Sequence, residues 1–263
     1  MAQLHVIAGA GDTPEFPTVR EINPRDLQDV LSRGFDDFWA MPSHVVFVSL
    51  IYPIIGIVLA GFMFGYNVLP LLYPLAFGFA LVGPLAAIGL YELSRRREQE
   101  LPTEWKNAFE VLRSPALPSI AALGVVLLVI FLAWLMTAQA LYTWLYGYAA
   151  PTSLTGFLSE VLTSSRGWTL ILLGNAIGLA FAVVALAISV VSVPLMLDRD
   201  VGLAVAVHTS VRAVLKNPLT MALWGVIVAV LLGLGSLPAF VGLAIVMPVL
   251  GHSTWHLYRR VVE

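Results

Sequence analysis

The chain has 263 residues, of which 59% are apolar and 11% charged, with a mean hydropathy of +0.88. Soluble domains carry roughly a quarter charged residues, so this composition points to a membrane protein. Lys and Arg number 14 against 16 Asp and Glu, a formal net charge of -2 that speaks against a nucleic-acid partner; with no cysteine, disulfides, thiolate metal sites, iron–sulfur clusters and cysteine nucleophiles are excluded.

The first forty residues are polar, contain Gly9, Gly11, Pro14, Pro17 and Pro24, and lack a short apolar segment ahead of a small-residue cleavage site. They are read as lacking a signal peptide, with residues 1–24 forming a disordered or extended cytoplasmic tail and the first span acting as an uncleaved insertion signal. Beyond them, residues 38–91, 114–159, 167–197 and 217–258 hold no Asp, Glu, Lys or Arg, so 173 residues fall in four uncharged blocks.

A bilayer crossing needs roughly 20 apolar residues. The first and fourth blocks each accommodate two crossings and a turn, and the second and third one each. The predicted spans are 44–64, 70–91, 118–138, 168–193, 219–234 and 238–257, helical because lipid offers backbone amides no partners. Turns marked by Gly and Pro join spans 1 and 2 (Gly65 to Pro70) and spans 5 and 6 (Gly233 to Pro238). Of the 14 basic residues, only Arg166 falls on the far side; the other 13 precede span 1, follow span 6, or lie between spans 2 and 3 or 4 and 5. This bias places both termini in the cytoplasm, with the bacterial inner membrane as the expected location. The expected fold class is all-α: a polytopic membrane protein with six transmembrane helices arranged as three hairpins, forming one domain over 25–263.

Three prolines anchor an internal similarity. Pro42, Pro115 and Pro218 follow FDDFWAM, AFEVLRS and VRAVLKN, and counting back 7, 4 and 3 positions gives Phe35, Phe38, Trp39; Ala108, Val111, Leu112; and Val211, Val214, Leu215. The spacing is helical, with charge on the opposite face. It predicts short amphipathic helices at about 26–40, 104–114 and 200–216, lying in the cytoplasmic interface and feeding a span through a proline bend. Pro84, Pro194 and Pro248 mark corresponding bends in spans 2, 4 and 6. On the outer side Leu154, Phe157, Leu158, Val161 and Leu162 predict a flat amphipathic helix over 152–164, amid an aromatic belt of Tyr142, Trp144, Tyr146, Tyr148 and Trp168.

Three groups of residues could carry chemistry. Asn175, Gly178, Ala182, Ala185, Ser189 and Ser192 form one small, polar face of span 4, suited to close helix packing and, alternatively, to lining a hydrophilic path. His252 and His256 stand one helical turn apart, where two imidazoles could contribute to a metal or haem site; no Glu completes a zincin motif, and two ligands do not close a zinc site. With Trp255, Tyr258, Arg259 and Arg260 they read instead as an aromatic and cationic interfacial anchor or partner contact. Asp198, Arg199 and Asp200 close span 4, and either aspartate is placed to cap the helix that follows. No serine–histidine–acid motif, glycine-rich phosphate loop or intramembrane carboxylate pair is legible, so no enzymatic activity and no cofactor beyond structural lipids is expected.

The carboxyl half resembles the DUF2189 family of bacterial integral membrane proteins. The residues that carry the likeness are GNAIGLAFAVVALAISVVSVPLMLDRDV (174–201), SVRAVLKNP (210–218) and the long segment from Met221 through GHSTWHLYRR to Arg260, and the likeness extends over roughly 20–260. The resemblance implies an integral membrane protein and brings no activity with it. The expected role is a non-catalytic accessory or stabilising subunit of a larger respiratory or photosynthetic membrane complex, in contact with lipids and other integral subunits. The alternative is a small-solute transporter or channel built on the three hairpins, with Asn175 and the span 4 serines along its path.

Overall fold

A computed structural model describes residues 16–41, 69–71, 74, 83–148, 151, 153–199, 201–238 and 241–263. The first predicted span, most of the second, Asp200 and residues 1–15 lie outside the described residues.

Helix α1 (Pro24–Ala40) begins where its sequence says it should. The Asn23 side chain accepts from the Arg25 amide at 2.9 Å, the Asn23 amide donates to Asp26 at 2.8 Å, and Pro24 supplies a preset φ at the first helical position. After a single turn at Gly83–Ala86 comes α2 (Ile88–Glu98), then a 3₁₀ segment Trp105–Arg113, and α3 (Leu117–Tyr146). Next are α4 (Leu154–Thr163) and α5 (Ser165–Ser189), each opened by a serine, Ser153 and Ser164, that accepts an amide of its own first turn. The helix breaks at Val190 and Val191 and resumes as α6 (Ser192–Asp198). Pro194, which has no amide to give the carbonyl of Val190, accounts for the break. Pro84 also sits at a break, whereas Pro248 is carried inside a continuous helix. The chain ends with α7 (Leu203–Lys216), α8 (Pro218–Ser236) and α9 (Leu243–Val261).

Among the described residues, three stretches are long and apolar enough to cross a membrane: α3, α5 continuing into α6, and α8. Their outward faces are apolar. Val125, Val129, Leu132 and Met136 are exposed on α3, as are Leu219, Val226, Val230 and Leu234 on α8. This inverts the soluble arrangement and suits a lipid solvent, which rewards apolar surface on the outside. The third span is also longer than the predicted 118–138, because the 30-residue α3 runs on to Tyr146.

The best-buried core lies at one end of these helices. There α1 packs along the second half of α9, with Leu27, Val30 and Phe38 of α1 buried together with Trp255, Leu257, Tyr258 and Val261 of α9. The two backbones approach so closely that a Cβ on Gly34 would overlap the side chain of Ser253. Leu90 and Leu93 of α2, Leu195 and Met196 of α6, and Ala206 and Ala213 of α7 complete this end layer.

The layer revises two expectations. The sixth predicted span, 238–257, is not one lipid-facing stretch: its helix starts at Leu243, and its second half is covered by α1. The first amphipathic helix likewise buries one face against protein. In each proline-anchored copy, however, the residue three before the proline projects outward, with Trp39, Leu112 and Leu215 exposed by 66%, 63% and 73%. Phe38 and Val111, their neighbours in the chain, are buried.

The two ends of the described chain meet in this layer. Val19 pairs with Val262 in an antiparallel bridge, with the Arg20 amide donating to Val261 at 2.7 Å and the Glu263 amide to Thr18 at 3.0 Å. Residues paired in this register have Cα atoms about 4.5 Å apart, within disulfide range. Because the chain has no cysteine of its own, Val19→Cys with Val262→Cys should form an intramolecular disulfide on mild oxidation of intact membranes, seen as a reducible gel shift. Separate ends would leave both thiols free.

Candidate functional site

The site is built around one carboxylate. Asp26, Val30, Gly34 and Asp37 follow at helical steps on α1, so Asp37 is carried on the face that packs against α9, and it is 4% exposed. An isolated carboxylate there is costly, and two other helices supply its partners. Ser94 Oγ on α2 donates to Asp37 Oδ2 at 2.5 Å, His256 Nε2 on α9 lies 3.0 Å from the same oxygen, and the Arg97 guanidinium on α2 pairs with Oδ1.

Proton accounting fixes the next contact. Ser94 Oγ also lies 2.6 Å from His252 Nδ1. A serine has one proton and an ionised carboxylate can only accept, so that proton goes to Asp37 and Nδ1–H of His252 donates to Ser94. His252 is thus assigned the Nδ1–H tautomer, and its Nε2 is buried without a hydrogen-bond partner among the described residues. Serine, histidine and aspartate do meet, contrary to the reading from sequence. Their order is nevertheless the reverse of nucleophile activation, because the hydroxyl is bound to the carboxylate and the imidazole donates to it instead of removing its proton.

A second tier surrounds this centre. Trp255 Nε1 donates to Glu98 at 3.0 Å, and Arg259 bonds the other oxygen of Glu98 at 2.9 Å. Tyr258 donates to Asp198 at 2.6 Å; burial, then this bond, pushes its phenol well above the ordinary range. Arg260 pairs with Asp26 through two nitrogens, at 2.9 and 2.7 Å. A cavity of about 430 Å³ opens beside Asp37, Arg97 and His256.

Several expectations change as a result. Trp255 and Tyr258 are fully buried and act as internal donors, so they do not form an interfacial anchor. Asp198 does not cap the helix after it: α7 starts from Gly202 without a side-chain cap, and Asp198 serves Tyr258 and Arg259. His252 and His256 both turn toward Asp37, and no metal-holding group of three or more His, Asp or Glu occurs among the described residues.

The small, polar face of span 4 divides in two. Ala185, Ser189 and Ser192 are buried, and the two hydroxyls donate to Ala185 and Ile188 carbonyls at 2.6 Å each. Asn175 and Ala182 are exposed, Asn175 donates to Ile171 at 2.7 Å, and Gly178 abuts the Trp134 ring. Sequence reasoning missed Asp37, Ser94, Arg97, Glu98 and Asp26 altogether. A usable signal existed in an acid and a glycine on the otherwise apolar face of α1.

The exposed apolar faces and the compact polar end define an integral membrane protein. Residues 71–198 match the family model of DUF2189, described as a predicted integral membrane protein, so the chain carries a DUF2189 region over that stretch. The matched residues include Ser94, Arg97 and Asp198 but neither α1 nor α9. No curated protein matches the chain, and no solved structure matches it.

Burial pushes the Asp37 carboxyl up, but hydrogen bonds from His256 and Ser94 hold it below its ordinary value of 3.8. A depressed carboxylate contributes stability at neutral pH and loses it as the pH falls through the lowered value. Asp37→Asn should therefore cost about 3–5 kcal/mol at pH 7, as expected for breaking a buried pair. In detergent-solubilised protein, the difference in thermal midpoint between wild type and variant should narrow below about pH 4. A difference that does not change with pH would show that the charge of Asp37 is not what matters.

Proposed function

We propose that this chain is a non-catalytic, six-span protein of the bacterial inner membrane, with both termini cytoplasmic, that serves as an accessory or stabilising subunit of a larger membrane complex. The observation that carries this reading is the contrast between the two parts of the molecule. In the polar end layer, the side chains that could react, Asp37, Ser94, His256, Glu98 and Asp198, are engaged with one another or with arginines. The apolar helices, by contrast, offer long exposed faces to lipid or to neighbouring helices.

The topology draws support from the Val19–Val262 bridge, since ends that pair lie on one side of the bilayer and require an even number of crossings. Beyond α3, α5–α6 and α8, this reading assigns two crossings to the uncharged block over 38–91 and one to the return of α9 after α8, which makes six. A transport path along span 4 is less well supported, because Ser189 and Ser192 spend their hydroxyls on their own helix.

Extraction in mild detergent followed by a native gel and mass spectrometry tests the role. The chain should migrate in a discrete species heavier than its own 28.5 kDa, together with other integral subunits. Migration as a homogeneous single chain would contradict the subunit assignment.

A further inference from the structure

A second cavity, of about 300 Å³, opens where two apolar stretches end. Ser114, Pro115 and Ala116 bring α3 to its rim, Asp198 and Arg199 close α6 beside it, and α2 and the 3₁₀ segment supply the remaining wall. Four arginines and three acids line it, and the acids are already taken. Glu92 holds Arg95 through two bonds at 2.9 and 3.0 Å, Glu110 holds Arg96 at 2.6 Å, and Asp198 accepts from Tyr258 and Arg259.

Two cations are therefore uncommitted. Arg113 makes no ion pair with the described residues, and Arg199 reaches only its neighbour Asp198, at 3.9 Å. At the same cavity the 30-residue α3 starts at Leu117; the Ala116 amide is held by Ser114 Oγ at 3.2 Å and the Leu117 amide by the Ser114 carbonyl at 3.1 Å, so the helix adds the positive end of its dipole while the donors for an anion are the guanidinium groups.

The surroundings indicate where that anion comes from. Trp105, Phe109 and Leu112 project outward from the same 3₁₀ segment that carries Arg113, and the cavity sits level with the ends of membrane-crossing helices. Basic groups in a recess with an exposed apolar flank at this depth match a phosphate whose acyl chains lie in the bilayer. A soluble phosphate would gain nothing from the flank.

We propose that Arg113 and Arg199 bind the phosphate of an anionic phospholipid in this cavity. The inference rests on the membrane location and on neither the subunit role nor a transport path. The test is native mass spectrometry of the purified full chain after delipidation, titrated with phosphatidylglycerol, phosphatidylcholine or inorganic phosphate.

Phosphatidylglycerol should be retained about tenfold more tightly than phosphatidylcholine, a difference of about 1.4 kcal/mol. Arg113→Gln with Arg199→Gln should abolish that preference, Arg113→Lys with Arg199→Lys should restore most of it, and Arg20→Gln, on the remote Glu263 pair, should leave it intact. Equal retention of the two lipids, or an unchanged preference in the double variant, overturns the proposal. Displacement of the lipid by inorganic phosphate overturns the lipid source. If the double variant loses its thermal transition, Arg113→Gln alone is read instead, because Arg113 supports no described ion pair. Release of the wild-type chain from membranes by alkaline carbonate would defeat the membrane reading itself, separately from these outcomes.

Discussion

The need to satisfy one buried carboxylate organises the end layer. Asp37 lies where α1 presses on α9, and its negative charge is tolerated because Ser94, Arg97 and His256 converge on it from two other helices. The contact joins segments more than 200 residues apart in the chain. It is reinforced earlier along α1 by Asp26 with Arg260 and by the close approach of Gly34 to Ser253. A half-satisfied network of this kind is worse than an apolar core, so the parts depend on one another.

This division explains why the apolar helices can be so plain. Lipid gives no hydrophobic drive for helices to associate. The spans α3, α5 and α8 keep most of their large side chains outward, and specific packing is concentrated where Trp255, Tyr258, Leu90 and Met196 are buried. The 3₁₀ segment and α7 then close the layer around α2 and α6. Their residues Leu112 and Leu215 are exposed as Trp39 is, whereas seven positions before the prolines Phe35 is exposed and Ala108 buried.

The membrane character, the apolar stretches and the approximate extents of α1 and α8 were legible because they depend on local patterns: uncharged runs, helical spacing of apolar residues, and prolines between helices. The end layer was not legible, because it depends on which distant charges meet. The run Arg95-Arg96-Arg97 reads as a cytoplasmic flank, yet each arginine faces a different acid: Glu92, Glu110 and Asp37. Trp255 and Tyr258 look like interfacial aromatics on composition alone. Only the presence of Glu98 and Asp198 beside them shows that their polar atoms bond inward. The two histidines were correctly singled out as sharing a face, but their ligand is a carboxylate and a hydroxyl from other helices.

The coupling between Asp37 and His256 tests this account most directly. A double-mutant cycle with Asp37→Asn and His256→Gln, measured as unfolding free energy in detergent at neutral pH, should give an interaction energy of about 1–3 kcal/mol, as for groups in one buried network. Additivity within about 0.5 kcal/mol would mean that the two helices do not meet through this carboxylate, and the end layer described here would be wrong.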